Sequence, residues 1–382
     1  VMELSDYRKQ IDEIDDQITK LFQQRMDAAA GIAQVKREKN LPVYDPARER
    51  EKLGEVSAHV RDDLAQDVRT LYATLFELSR AHQRDLNRTE SQLGAAVREA
   101  IENTPRLFPE EAVVACQGVE GAYSQRAAVK LFKRPSILYF KTFESVFSAI
   151  ESGLCRYGVL PIENSSAGSV KKVYDLMLGH DFKIVRSVRL KIDHSLLALP
   201  GVKREDIREI FTHEQAIGQC AGYLERFGKD VKITRCENTA QAAQMLMLTG
   251  RRDAAAIASA DCAQLYGLRC LEHDIQDRAN NYTRFICISK NLEIYPGADH
   301  TSVMMTLKHQ PGALCRALSL FNMLGINLTK LESRPIPERD FEFMFYFDLE
   351  ASVYSAEFMR MIDSLSDISD DFRYLGSYGE VI

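Results

Sequence analysis

Between Leu4 and about Asn40 apolar residues recur at intervals of three and four, at Tyr7, Ile11, Ile14, Ile18 and Leu21, which puts them on one face of a long helix. Continued, the stripe reaches Arg25, Ala28 and Ile32. Lys36 follows Arg25 by about three turns, so both cations share the apolar face. A helix of ~35 residues spans roughly 50 Å at 1.5 Å per residue, too long for a small monomeric bundle. Its apolar face is therefore expected to pack against the same helix of a second subunit. Leu41-Pro42-Val43-Tyr44 interrupts the pattern, and Asp45-Pro46 supplies an N-cap with proline at the first helical position. Arg48 and Glu49 fall in the first turn of that second helix. A third helix is predicted from about Leu64, with Val68, Leu71, Leu75, Leu78, His82 and Leu86 inward. Ser79 and Gln83 stand at i and i+4 beside that stripe and share a face.

Residues from about Leu86 to Glu111 are polar and read as a helical tail and linker ending at Thr104-Pro105 and Pro109. Beyond them the period changes. Ala112–Cys116 is a short buried strand, and strand and helix signals then alternate: helix Thr142–Glu151, strand Tyr157–Ile162, helix Val170–Leu178, strand Glu209–Thr212, helix Gln215–Phe227, strand Val231–Cys236 and helix Asn238–Leu248. Such alternation predicts α/β packing in two lobes, with a ligand cleft between them. After Pro296-Gly297 the order becomes strand Ser302–Lys308, helix from Gly312, strand Leu328–Arg334, strand Phe341–Glu350, helix Ala356–Leu365 and strand Phe372–Gly376. That is the βαββαβ, ferredoxin-like plan.

With 382 residues, the chain exceeds one ordinary domain. A formal net charge of -6 argues against nucleic acid or an anionic membrane surface as the main partner. Any anionic ligand must therefore meet local clusters of Arg and Lys. The eight cysteines (116, 155, 220, 236, 262, 270, 287 and 315) are scattered in apolar surroundings without a CxxC pair or zinc-like spacing. They are expected to be reduced core residues of a cytoplasmic protein. The first ten residues are charged and lack the apolar segment of a signal peptide, and no apolar run reaches the length of a membrane span. No metal or organic cofactor is expected, and the absence of GxGxxG after a strand speaks against a nicotinamide-binding domain.

A single cation on an apolar stripe is most simply a snorkelling stem or a structural ion pair. Two cations three turns apart favour an anion-binding face, because an unpaired buried charge costs several kcal/mol. Arg8, Arg25, Lys36, Asp45, Arg48, Glu49, Ser79 and Gln83, in this order and spacing, resemble the site of the helical chorismate mutases. The resemblance implies an intertwined homodimer in which Arg8 enters the partner's site. It also implies a pericyclic rearrangement of chorismate that needs no nucleophile: arginines 8, 25 and 48 clamp the carboxylates, Lys36 and Gln83 donate to the ether oxygen, and Glu49 accepts from the ring hydroxyl.

In the α/β region the cleft candidates are loops at strand ends: Gly121–Ser124, Pro161–Gly168, Thr212–Gln215 with Gln219, and Asn281–Phe285. Singly each is ordinary turn or cap chemistry. Together they resemble prephenate dehydratase over roughly residues 112–290, most specifically through Glu163-Asn164-Ser165 with Gly168 and through Thr283-Arg284-Phe285. Glu120 and Glu214 stand where related sequences often carry proline, at positions expected to be loop surface. The resemblance makes Thr283 the principal catalytic residue. A threonine hydroxyl is too weak an acid to protonate a leaving group, so its expected part is a hydrogen bond to the departing hydroxyl. Ser124, Asn164, Ser165, Ser166, Thr212, Gln215, Gln219 and Arg284 are the expected substrate-binding residues. The Arg284 side chain is free to point the other way, since strand neighbours face opposite sides.

In the last region, Pro311-Gly312-Ala313-Leu314 and Glu332-Ser333-Arg334-Pro335 resemble an ACT regulatory domain. The resemblance implies L-phenylalanine as effector, with Gly312, Ala313, Leu314, Asn327, Leu328, Glu332 and Ser333 at its site. Cys315 replaces the more usual valine. The chain thus reads as multidomain: an all-α mutase domain over residues 1–95, a linker over 96–111, a two-lobed α/β dehydratase domain over 112–292 and an α+β ferredoxin-like ACT domain over 298–382. The expected function is conversion of chorismate to prephenate and then to phenylpyruvate, under phenylalanine feedback, in a homo-oligomer that is a dimer or tetramer. The rivals are a dehydratase preferring arogenate and a non-catalytic amino-acid-binding regulator.

Overall fold

A computed structural model describes residues 3–86, 91–228, 230–307, 312–336 and 342–382. The chain divides into two compact units, Val1–Gln92 and Leu93–Ile382. The first unit is three helices, Leu4–Glu38, Pro46–Ala58 and Ala65–Leu86, with a short 3-10 turn at Asp62–Leu64. Asp45 caps the second helix by accepting from the Arg48 amide at 3.1 Å, with Pro46 at its first position. The predicted stripe of the first helix faces outward in the single chain: Tyr7, Ile11, Ile14, Ile18 and Leu21 are 52–63% exposed. Only Ala29 and Ala33 of that helix are buried.

The second unit holds three sheets. In the largest, strand Tyr282–Ser289 lies between Lys183–Lys191 and Tyr157–Asn164, antiparallel to both, and Glu111–Gln117 and Arg134–Phe140 extend it in parallel. A second, five-stranded sheet is built around Ala254–Ala258, whose five residues are all buried. These two sheets form the two lobes that the alternation predicted. The helix expected over Gln215–Phe227 is broken into Glu214–Gln219, Ala221–Leu224 and a 3-10 turn at Glu225–Phe227.

The third sheet has four antiparallel strands in the order Asn327–Pro335, Phe343–Glu350, His300–Leu307, Ser369–Tyr378. Helices Ala313–Met323 and Ala356–Ile368 complete the βαββαβ sequence. Pro311 of the first effector motif lies outside the described residues. Gly312 adopts φ +81, and a Cβ there would meet Arg316 Nη1 only at 3.8 Å, so its contribution is the left-handed conformation that starts the helix.

This third sheet is not a separate body. Met304, Met344, Tyr346, Leu375 and Tyr378 share one apolar core with Ile162, Ile184, Ile286 and Ile288 of the first lobe. Residues Glu380 and Val381 add a parallel strand beside Ser187 and Val188. A Cβ on Gly376 would lie 2.3 Å from the Ile184 carbonyl oxygen, so only glycine permits this approach. In the stretch read as a helical tail and linker, helix Gln92–Asn103 buries Val97 and Ala100 in the core of the C-terminal sheet. Cys315 is exposed and Cys270 half-buried, unlike the other six cysteines, which are buried. Among the described residues no helix is long and apolar enough to cross a membrane.

Candidate functional site

In the helical unit, Ser79 and Gln83 are both buried on one face of the third helix. Arg25 reaches Ser79 from the first helix, donating to the Leu75 carbonyl at 3.1 Å and to the Ser79 hydroxyl. Burial lowers the Arg25 pKa from its ordinary value, and the charge of Glu49 works against that fall. Lys36 donates to the Val43 carbonyl at 2.6 Å. Glu49 is held by Arg80, whose guanidinium also lies 5.1 Å over the Tyr44 ring. Arg80 was not anticipated, because Glu49 lies on the second helix and Tyr44 in the turn before it. Gln83 Oε1 is buried with no partner among the described residues, an acceptor open to a bound molecule. Arg48 points outward to Glu51, and Arg8 is exposed on the first helix.

In the second unit the site grows from one rung of a β-ladder, where Thr283 pairs with Asn164. The Asn164 Nδ2 donates to Asn281 Oδ1 and to Thr283 Oγ1, each at 2.9 Å. Its Oδ1 accepts the backbone amides of Ser166 at 2.9 Å and Ala167 at 2.8 Å, which fixes the orientation of the carboxamide and the shape of the loop. Because Thr283 Oγ1 is already an acceptor, its own O–H is left to donate elsewhere. Ser165 closes the other strand end: its hydroxyl accepts the Tyr282 amide at 2.9 Å.

In front of this rung lies a cavity of about 630 Å³ lined by Ser166, Ala167, Glu214, Gln215, Gly218, Gln219, Gln276, Asp277, Arg278 and Asn281. Of the expected residues, Ser166, Gln215 and Gln219 line it; Asn164 is bonded behind Asn281, and Thr283 is bonded in turn to Asn164. Glu214 also lines it, so this position is cleft wall and not merely loop surface. Gln276, Asp277 and Arg278 were missed, since a short irregular run before the strand carries no period. Asn281 Nδ2 is buried without a partner and so forms a donor for a bound molecule.

Three expected residues stand elsewhere. Thr212 is buried and donates to the Ile257 carbonyl at 3.2 Å inside the second lobe. Ser124 is buried, with its carbonyl accepting the Cys116 thiol at 3.5 Å. Arg284 faces the opposite side of the strand from Thr283 and pairs with Asp348 of the C-terminal sheet. Burial lowers the Arg284 pKa, but Asp348 together with Tyr378 and Tyr346 more than offsets this, so the guanidinium is held above its ordinary value. Of the expected effector residues, Glu332 accepts from Ser169 of the first lobe at 2.7 Å, and Asn327 donates to Glu350 at 2.8 Å. Ser333 faces the other side of its strand, and Gly312, Ala313 and Leu314 open the helix nearby in sequence to neither.

His194 was also missed. It is buried, and its Nε2 lies 2.8 Å from Gln219 Oε1. Gln219 turns its amide nitrogen to Asn164 Oδ1 at 3.5 Å, so the histidine Nε2 carries the hydrogen and the partnerless Nδ1 is bare. Burial lowers the His194 pKa below 6.5, opposed by the Gln219 hydrogen bond. The stability that the neutral ring contributes is complete above the unfolded value and is lost as pH falls from 6.5 towards the depressed folded value. Thermal unfolding followed from about pH 7.5 to about pH 5.5 should therefore cost the parent protein more stability than His194→Gln. Equal losses would show that the ring is not buried in its neutral form.

The two units define a class: one helical cluster of Arg25 and Lys36 beside buried amide and hydroxyl groups, and one two-lobed cleft floored by an amide–hydroxyl network. Residues 7–84 match the family Chorismate mutase type II, and residues 114–293 match Prephenate dehydratase. The chain is 31% identical to a bifunctional chorismate mutase/prephenate dehydratase of Aquifex aeolicus, over 100% of this chain and 99% of that one. Over 69% of its length it is 38% identical to arogenate dehydratase/prephenate dehydratase 1, chloroplastic, of Arabidopsis thaliana, covering 71% of that protein. A solved prephenate dehydratase of Arthrobacter aurescens, in complex with L-Phe, is 28% identical with a TM-score of 0.64, over 70% of this chain and 90% of that one. A structure described as GqqA, a novel type of quorum quenching acylase, is 32% identical with a TM-score of 0.64, over 70% of this chain and 98% of that one. The chain belongs to the family of bifunctional chorismate mutase/prephenate dehydratases.

Proposed function

We propose that the helical unit rearranges chorismate to prephenate and that the α/β cleft converts prephenate to phenylpyruvate, in phenylalanine biosynthesis. The observation that carries the second step is the Asn164 carboxamide, which anchors Thr283 Oγ1 and leaves its O–H free to donate beside an open cleft. In that step the ring carboxylate leaves as carbon dioxide, and its bonding electrons enter the ring. The ring hydroxyl departs as the ring becomes aromatic. Thr283 donates to that departing oxygen and so stabilises the charge growing on it. Arg278, at the cleft wall, is suited to a substrate carboxylate. In the first step Arg25 and Lys36 clamp the dicarboxylate and its ether oxygen, with Gln83 beside them, and Arg8 is supplied to a partner's site.

The exposed apolar stripe from Tyr7 to Leu21 supports a homodimer formed through the first helix, with a tetramer as the larger alternative. The βαββαβ layer is read as a ferredoxin-like ACT domain that binds phenylalanine through the Gly312 and Glu332 motifs, and the protein as cytoplasmic. Arogenate is the second reading. Asp277 and Glu214 put two carboxylates in the cleft wall, where the ammonium of an aminated prephenate would be matched.

Incubating the purified chain with chorismate should yield prephenate and then phenylpyruvate, with the second step slowed by phenylalanine. No loss of chorismate, or prephenate that persists, would overturn the corresponding half. Turnover of arogenate faster than of prephenate would decide for the second reading.

A further inference from the structure

Behind the rung that presents Asn164 and Thr283 lies a second rung of the same ladder, where Glu163 pairs with Arg284. The two rungs face opposite ways, because successive side chains of a strand alternate. The front one meets the cleft. The back one meets the C-terminal sheet, whose strands Asn327–Pro335 and Phe343–Glu350 supply its partners.

Asp348 is 2% exposed and accepts from Arg284 with one carboxylate oxygen and from Ser302 with the other. Ser302 is itself 2.7 Å from the Tyr378 hydroxyl, so the carboxylate is held within the core. Lys330 donates to Glu163 at 2.6 Å and to the Ser169 hydroxyl at 2.8 Å. Glu163 and Ser169 are cross-strand partners at the two ends of the loop that carries Ser165, Ser166 and Ala167 past the cleft. One ammonium therefore ties both ends of the loop whose backbone amides fix Asn164. Three further bonds at the same strand face complete the junction: one from Ser169 to Glu332, and two from Arg334 to Asp175 at 2.8 and 2.9 Å.

We propose that Lys330 and Asp348 are positioning residues of the dehydratase, holding from behind the Glu163–Arg284 rung so that Asn164 and Thr283 keep their places at the cleft. Neither residue touches the cavity. Lys330 acts through Glu163 and Ser169, and Asp348 through Arg284. The arrangement makes the C-terminal sheet part of the working site: a shift of strand Asn327–Pro335 moves the ends of the Asn164 loop directly.

The inference rests on the reading that this cleft performs the dehydration. It is tested on the full chain with Lys330→Gln and Asp348→Asn, measuring prephenate turnover beside chorismate turnover. Each substitution should lower the dehydratase kcat about tenfold or more, in line with the cost of a misplaced catalytic group, while KM stays within about twofold. Chorismate turnover should be unchanged, which separates lost positioning from failure to fold. Arg284→Met combined with Asp348→Asn should be no slower than Arg284→Met alone, because the carboxylate acts through the guanidinium. If both single variants keep the parent kcat while Thr283→Ala abolishes it, the positioning role is wrong. The same conclusion follows if the Arg284 and Asp348 effects multiply. A Thr283→Ala protein that retains its rate would instead remove the cleft reading itself.

Discussion

Thr283→Ala is expected to reduce prephenate turnover by about 100- to 1,000-fold, the range found when one pre-aimed donor to a developing oxyanion is removed. The methyl side chain of alanine fits the volume, so the strand and the Asn281–Asn164 bond should persist. What disappears is one hydroxyl that accepts from Asn164 at 2.9 Å and is thereby aimed outward. The effect should fall on kcat more than on KM, since the bond strengthens only as the leaving oxygen gains charge. Chorismate consumption, carried by the other unit, should be unaltered. A protein that loses prephenate binding but keeps kcat would assign Thr283 to ground-state binding.

Arg25→Ala should have the complementary effect, lowering chorismate turnover by about 100- to 1,000-fold while prephenate supplied directly is still dehydrated at the parent rate. The guanidinium is placed by the Leu75 carbonyl and the Ser79 hydroxyl, with Phe76 5.7 Å beneath it. A pericyclic step offers the protein little to do beyond holding the substrate folded and matching its charge, so a lost clamp is not replaced by a neighbouring acid or base. Arg25→Lys keeps the charge but lacks the planar fork and should recover only part of the rate. Full activity in either variant would move the carboxylate contact to another cation.

How much of this was legible depends on where the deciding contacts lie in the chain. The helical unit was readable because Arg25, Ser79 and Gln83 sit on helices whose period states which side chains share a face. The βαββαβ order was equally plain from alternating strands and two amphipathic helices. Arg284 shows the limit. Strand alternation says that Arg284 and Thr283 face opposite sides, yet the side that meets the cleft is settled by Asp348, 64 residues downstream. The strand Lys183–Lys191 was overlooked because its Lys and Arg residues break up the apolar positions, although both of its neighbours bury it. The helix Gln92–Asn103 was read only as a tail because the surface that covers its Leu93, Val97, Ala100 and Ile101 comes from the C-terminal sheet. Gln276, Asp277 and Arg278 belong to irregular backbone, where no periodicity marks a functional side chain.

The central claim is that one chain carries two separate sites that work in succession. Mixing the Arg25→Ala and Thr283→Ala proteins and supplying chorismate tests it most directly. Each variant alone should make phenylpyruvate from chorismate at least about 100-fold more slowly than the parent, the first for want of prephenate and the second by accumulating it. The mixture should produce phenylpyruvate, because prephenate released by one protein is taken up by the other. A mixture as slow as its components, or phenylpyruvate formed by Thr283→Ala alone at the parent rate, would contradict the account.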